Sequence, residues 1–297
     1  MNKKNIKVPV VRPAEFDNYI FGDWKAPVST FYHKFHIERI ENYKKHLKLP
    51  LPPHRRSVSF FIFLTQGNVI RSKGLSTYEI KSNTFFLLPA DQITSLEYVS
   101  KNAKGFYCHF TPDIFSLFQK KGLQSFSFFD FTGEPLVHVA NQERILQLLY
   151  ILENENKKNH ETRFELVPLY LFALFAELKL QLPPQELKKM DAATMLTQRY
   201  KNALAESISE LKTVQEFALH LSVSSNHLNK CVQAAIGKSA HELLDDMRIL
   251  EAKVLLKQTE LSIGEIAFRI GRFEPSDFAR FFKSKTGTTP NQFRKDK

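Results

Sequence analysis

One stretch of this sequence is written twice, and that repetition constrains the fold more than any other feature. Val214, Phe217, Ala218 and Leu221 return 49 positions later as Ile263, Ile266, Ala267 and Ile270. Past a turn the offset becomes 50: Leu228 matches Phe278, Val232 matches Phe282, Gly237 matches Gly287 and Ser239 matches Thr289. Each copy predicts a helix with a small Ala at its middle, a short turn, and a second helix with apolar residues about four apart. The Ala lets the second helix cross closely, which is the steric requirement of a helix-turn-helix. Start signals agree with this. Thr213 and Glu216, Ser239 and Glu242, and Ser262 and Glu265 each have the spacing of a capping box, and Pro275 and Pro290 stand at two further helix starts. Gly237, Gly271 and Gly287 stand where helices should stop. Between the copies, residues 240–257 predict a helix spanning nearly 30 Å at about 1.5 Å per residue. That approaches one turn of B-DNA, the separation at which two recognition helices reach successive major-groove segments on one face.

The order of residues in the second copy is more specific still. Ile266-Ala267, Gly271, Phe278 with Arg280, Phe282-Lys283, Gly287 with Pro290, and Phe293-Arg294 follow one another in sequence. Over about 80–100 residues this resembles the DNA-binding domain of AraC/XylS-type regulators. One position departs from that pattern: Arg272 stands where the family usually has Phe, and Phe273 follows it. The resemblance implies double-stranded DNA as partner, with RNA polymerase as a further candidate.

Helix geometry and the resemblance agree on the side chains facing DNA. With Leu228 and Val232 in the core, Ser225, Asn226, Asn229 and Lys230 lie on the outer face of the first unit. With Phe278 and Phe282 in the core, Ser276, Asp277, Arg280 and Lys283 lie outside in the second; either Phe273 rotates into the site that the family's Phe fills, or the turn is altered and Arg272 faces the DNA backbone. Asn can bond adenine bidentately, and Arg280 is the best candidate for guanine readout. Asp277 can accept from cytosine N4 or orient Arg280. Arg294 is either a phosphate partner or a cap for the last helix.

Upstream the pattern changes. Residues 58–64, 84–88 and 105–110 are aromatic or β-branched runs separated by turn residues, which predicts close-spaced antiparallel strands in a sandwich or barrel. Residues 141–155 have helical spacing. Residues 163–180 are apolar nearly all round, as a helix buried on several sides must be, with a second subunit one expected cover. Pro183-Pro184 then begins a linker. In the family, a cupin-type barrel often precedes the DNA-binding domain, and the phrase from Tyr78 to Pro89 looks like part of one. The expected class is therefore α+β. A cupin-like effector and dimerisation domain, a β-barrel with dimerising helices, would occupy 1–181, a linker 182–193, and an all-α domain of two helix-turn-helix units joined by a linker helix 194–297. Candidate effector-lining residues are His36, Phe61, Phe63, Tyr107 and His109.

Composition narrows the remaining classes. The formal net charge of +11 favours a polyanionic partner, yet from Asp191 onward 16 Lys and Arg face 13 Asp and Glu. Any basic surface there comes from placement. Cys108 and Cys231 are the only cysteines, without the spacing of a disulfide framework or a cysteine-rich zinc site. The 27 Phe, spread over both halves, read as core filling first and ligand lining second. The most apolar run, 166–176, holds about 11 residues where a membrane span needs about 20. The N-terminus carries no apolar segment of a secretory signal. The expectation is a cytoplasmic protein without membrane association, a homodimer with a small-molecule effector, without a cofactor, metal or catalytic residues. Against it stands a cupin-type enzyme or ligand-binding protein with an appended DNA-binding module. His33, His36, His54 and His109 do not form the closely spaced set that a cupin metal site needs, and no hydrolase, phosphate-loop or zinc-protease motif is present. Control by a protein partner is a third reading.

Overall fold

The computed structural model describes residue 13 and residues 29–121, 123–129, 133–158, 161–182, 191–271 and 274–295. These residues divide into two compact units, one drawn mostly from the chain before residue 187 and one mostly from residue 187 onward.

Nine strands lie among the described residues, all but most of β2 in the first unit: β1 Phe35–Arg39, β2 Leu51–His54, β3 Ser59–Gln66, β4 Val69–Lys73, β5 Ser76–Ile80, β6 Thr84–Leu88, β7 Thr94–Val99, β8 Lys104–Phe110 and β9 Leu136–His138. They form two sheets, ordered β1-β8-β3-β6-β9 and β2-β7-β4-β5. This corrects the expected closed barrel. The chain passes from one sheet to the other between β1 and β2, β2 and β3, β3 and β4, β5 and β6, β6 and β7, and β7 and β8. Among the described residues no ladder joins the two sheets, and short strands such as the three-residue β9 leave the edges open.

Strand alternation sorts the Phe-rich runs into two cores. Phe60, Ile62 and Leu64 of β3 join Phe86, Leu88, Val69, Ile80 and Leu96 between the sheets. Phe61 and Phe63 point the other way, with Phe85, Phe106 and Phe110, toward two helices, α1 (Glu143–Lys158) and α2 (Val167–Gln181). Phe175 of α2 sits at the centre of that second core, its ring 4.9 Å from Phe129 and 5.6 Å from Phe110. The Phe content of this unit is packing material. On its other side α2 leaves Leu169 and Leu180 exposed. Among the described residues no helix is long and apolar enough to cross a membrane.

The second unit is helical: α3 Ala192–Ser207, α4 Val214–His220, α5 Ser225–Ile236, α6 Ala240–Gln258, α7 Ile263–Gly271, α8 Pro275–Thr286 and α9 Pro290–Lys295. All three expected capping boxes are made; in the second, Glu242 N donates to Ser239 Oγ at 3.1 Å and Ser239 N to Glu242 Oε2 at 2.7 Å. Thr289 and Gln292 make a further pair of the same form before α9. Gly237 and Gly287 end α5 and α8 at φ 72° and 80°, the left-handed conformation that glycine adopts without strain.

Candidate nucleic-acid interface

The duplicated residues form two superimposed plans. In the first unit α4 buries Val214, Phe217 and Ala218, and α5 buries Leu228 and Val232 against it. In the second α7 buries Ile266, Ala267 and Ile270, and α8 buries Phe278 and Phe282. The linker helix α6 serves both. Its 19 residues span about 28 Å at about 1.5 Å each. Its second half, through Ile249, Ala252, Leu255 and Leu256, packs with the α7 and α8 residues. Helix α3 completes the first unit: Tyr200 is fully buried, edge-on to Phe217 at 5.7 Å, and its hydroxyl donates to Ala240 O at 3.0 Å.

Polar links then fix one unit against the other. Lys212, buried ahead of α4, donates through Nζ to Ile208 O at 2.7 Å and to Arg269 O of α7. Arg248 of α6 donates to Lys212 O at 2.6 Å. A buried ammonium thus satisfies helix-end carbonyls from both halves.

The second helix of each unit presents a polar face. Ser225, Asn226 and Lys230 of α5 are exposed, as are Ser276, Asp277, Arg280 and Lys283 of α8. Arg280 pairs with Asp277, their side chains 80% and 53% exposed. Such an exposed pair is worth at most about 1 kcal/mol, so Asp277 can aim the guanidinium and release it cheaply. Arg272 and Phe273 lie outside the described residues.

Two of the expected positions are engaged within the protein. Asn229 is half-buried, and its Oδ1 accepts from Ala240 N at 2.9 Å. It caps an otherwise orphaned amide at the start of α6, so the acceptor needed for bidentate adenine contact is already engaged. Arg294 is also half-buried. Its Nη2 donates to Leu261 O at 2.5 Å and its Nε to Leu256 O at 3.4 Å, around the end of α6. Sequence reasoning passed over His227, which is exposed on the first turn of α5 with Nε2 3.7 Å from Cys231 Sγ. Its position one residue before the buried Leu228 is the signal that could have found it.

The five candidate effector residues do not converge. Phe61 and Phe63 belong to the core facing the helices. His36, Tyr107 and His109 share the opposite side of the sheet, with the His36 and His109 rings 5.6 Å apart. Arg56 donates to the Tyr107 hydroxyl. His109 Nε2 lies 2.8 Å from Tyr32 O, which can only accept, so Nε2 carries the proton and Nδ1 accepts from Tyr107 at 3.2 Å. Burial first, and then the charge of Arg56, lowers His36 to about 4 and holds His109 well below the usual imidazole range. Among the described residues no three His, Cys, Asp or Glu side chains gather as a metal-binding group.

A helix-turn-helix domain family matches residues 217–296, the two units and their linker helix. The arabinose operon regulatory protein of Salmonella typhimurium is 30% identical over 112 residues, covering 38% of this chain and 37% of that protein. The chain thus carries a helix-turn-helix domain and is similar to regulators of the AraC/XylS type. An uncharacterized HTH-type transcriptional regulator of Bacillus subtilis, YisR, is 29% identical over 129 residues, 43% of this chain and 45% of its own length. The matches therefore span less than half of the length of these two relatives. The HTH-type transcriptional activator RhaR of an Enterobacter species aligns over 247 residues at 24% identity, 81% of this chain and 86% of the relative.

Proposed function

We propose that this chain is a sequence-specific DNA-binding transcription regulator, acting in the cytoplasm as a homodimer, with a small molecule in the N-terminal domain controlling it. In this reading residues 1–181 sense and dimerise, 182–193 link, and 194–297 bind DNA. The observation that carries it is the pairing of α5 and α8. Each is the second helix of a complete helix-turn-helix, each turns a polar face to solvent, and one rigid helix of about 28 Å joins the units. Ser225, Asn226, Lys230, Ser276, Arg280 and Lys283 would meet bases and phosphates, with Asp277 orienting Arg280, Arg272 at the turn and His227 added to the first unit.

Dimerisation is supported by the exposed Leu169 and Leu180 on α2, a helix whose other side is already buried. Effector control is supported by the buried polar group between the sheets, where His36, Tyr107 and His109 meet Arg56. Genome-wide mapping of the DNA bound by the full chain, followed by gel shifts on the recovered sequences, tests the reading. A shared motif bound at least a thousandfold above random DNA is expected, within the range for specific DNA-binding proteins. Uniform binding to any duplex would reject sequence-specific regulation.

A further inference from the structure

Helix α1 buries a carboxylate where its pattern calls for an apolar side chain. Ile145, Leu149 and Leu152 form its buried stripe, and Glu155 takes the next place, its side chain 3% exposed. Glu155 begins the last turn, where the helix dipole disfavours negative charge. Leu there would continue the core without the cost of burying a charge. Arg163, itself 44% exposed, pairs with the carboxylate: its Nε donates to Oε2 at 2.7 Å and its Nη2 to Oε1. A carboxylate accepts about four hydrogen bonds, so about half of that capacity remains.

Glu155 also lines a small cleft, partly open to solvent, together with Ser29, Phe31, Phe35, Asn156 and Phe164. Its interior, about 10 Å³, has room for one water-sized group. The polar groups around it are acceptors. Asn156 commits its Nδ2 to Ile37 O at 3.2 Å. Its Oδ1 is buried and, apart from a loose interaction with His36, has no hydrogen-bond partner among the described residues. Ser29 Oγ is buried without one as well. Among the described residues no Lys, Arg or His lines the cleft. The Phe31 and Phe164 rings stack at 4.1 Å and 13°, and with Phe35 they give it an aromatic wall.

The Glu155 carboxylate disfavours an anion here, and three acceptors around one small space call for a donor. A primary ammonium group supplies three N–H donors in a volume close to that of water, and aromatic faces attract its charge. We propose that this cleft binds the primary ammonium group of a small organic amine, with Glu155, Asn156 and Ser29 accepting its hydrogens and the Phe rings against its carbon chain. This inference rests on the reading of the N-terminal domain as an effector domain, and names the chemical class of the effector.

The test is the unfolding temperature of the full chain against rising ethylammonium, butylammonium and benzylammonium chloride, each compared with sodium and potassium chloride at equal ionic strength. At least one amine should raise it in a saturable way. Tetramethylammonium chloride, which has the charge but no N–H, should not. Ser29→Ala removes a hydroxyl without a partner in the free protein, so without amine it should unfold at the wild-type temperature. It should raise the half-saturating amine concentration by about tenfold. Glu155→Gln should abolish the rise, and Ser29→Ala keeps the test decisive if that variant does not fold. No response beyond the inorganic salts, an equal response to tetramethylammonium, or an undiminished response in either variant overturns the proposal. Operator binding on the same preparation separates the two readings. A chain that binds its operator but no amine loses this inference alone, and a bound amine that leaves operator affinity unchanged removes the effector role while the site stands.

Discussion

At the scale of single residues, exposure and existing partners decide which side chains are available to DNA. Arg280 is exposed and its bond to Asp277 is cheap to exchange. Arg280→Ala should weaken specific binding by about 1–3 kcal/mol and relax selectivity at one base pair, read from gel shifts on a set of single-base operator variants. Unchanged selectivity would remove Arg280 from readout. Asn229 should behave differently. Asn229→Ala deletes the cap on Ala240 N and should lower unfolding stability by about 1 kcal/mol. Denaturant titration measures that loss, and an unaltered midpoint would contradict the capping role. The buried histidines make stability depend on pH. Their folded-state values lie below the ordinary 6.5, so between pH 6.5 and about 4 the unfolded chain takes up protons that the folded one refuses. Stability is then intact above pH 6.5 and falls as the pH drops through that window, by about 1.4 kcal/mol per pH unit for each group. His36→Gln should flatten the slope; an identical slope would show that other groups set it.

At the scale of elements, the helical half was legible in the sequence because its signals are local. Capping boxes, terminal glycines and an apolar repeat act within one or two turns, and Thr213, Ser239 and Ser262 all make the bonds their spacing announces. Gly237→Ala and Gly287→Ala should each cost about 1–2 kcal/mol, because a Cβ there meets no neighbour and only the left-handed backbone resists it. Equilibrium unfolding would test this, and a neutral or stabilising effect would contradict it. The sheets were less legible, because pairing joins strands far apart in sequence and closure depends on which edges meet. Which Phe side chains face which core was not legible for a specific reason. Phe60-Phe61-Ile62-Phe63-Leu64 is apolar on both faces, so nothing in it says which residues face the other sheet. The internal bonds of Asn229 and Arg294 were not legible because their partners, Ala240 N and Leu261 O, are backbone groups brought near only by folding.

At the scale of the whole molecule, the account requires the two helix-turn-helix units to act on DNA as one rigid body. The Lys212 and Arg248 contacts and the shared helix α6 hold them in register. Binding of the full chain to its mapped genomic site should be compared with binding to a copy carrying about 5 extra base pairs, roughly half a turn, between the segments protected by the two units. Rigid units predict that the insertion turns one segment away and costs most of the specific affinity. Affinity undiminished by the insertion would contradict simultaneous docking of α5 and α8.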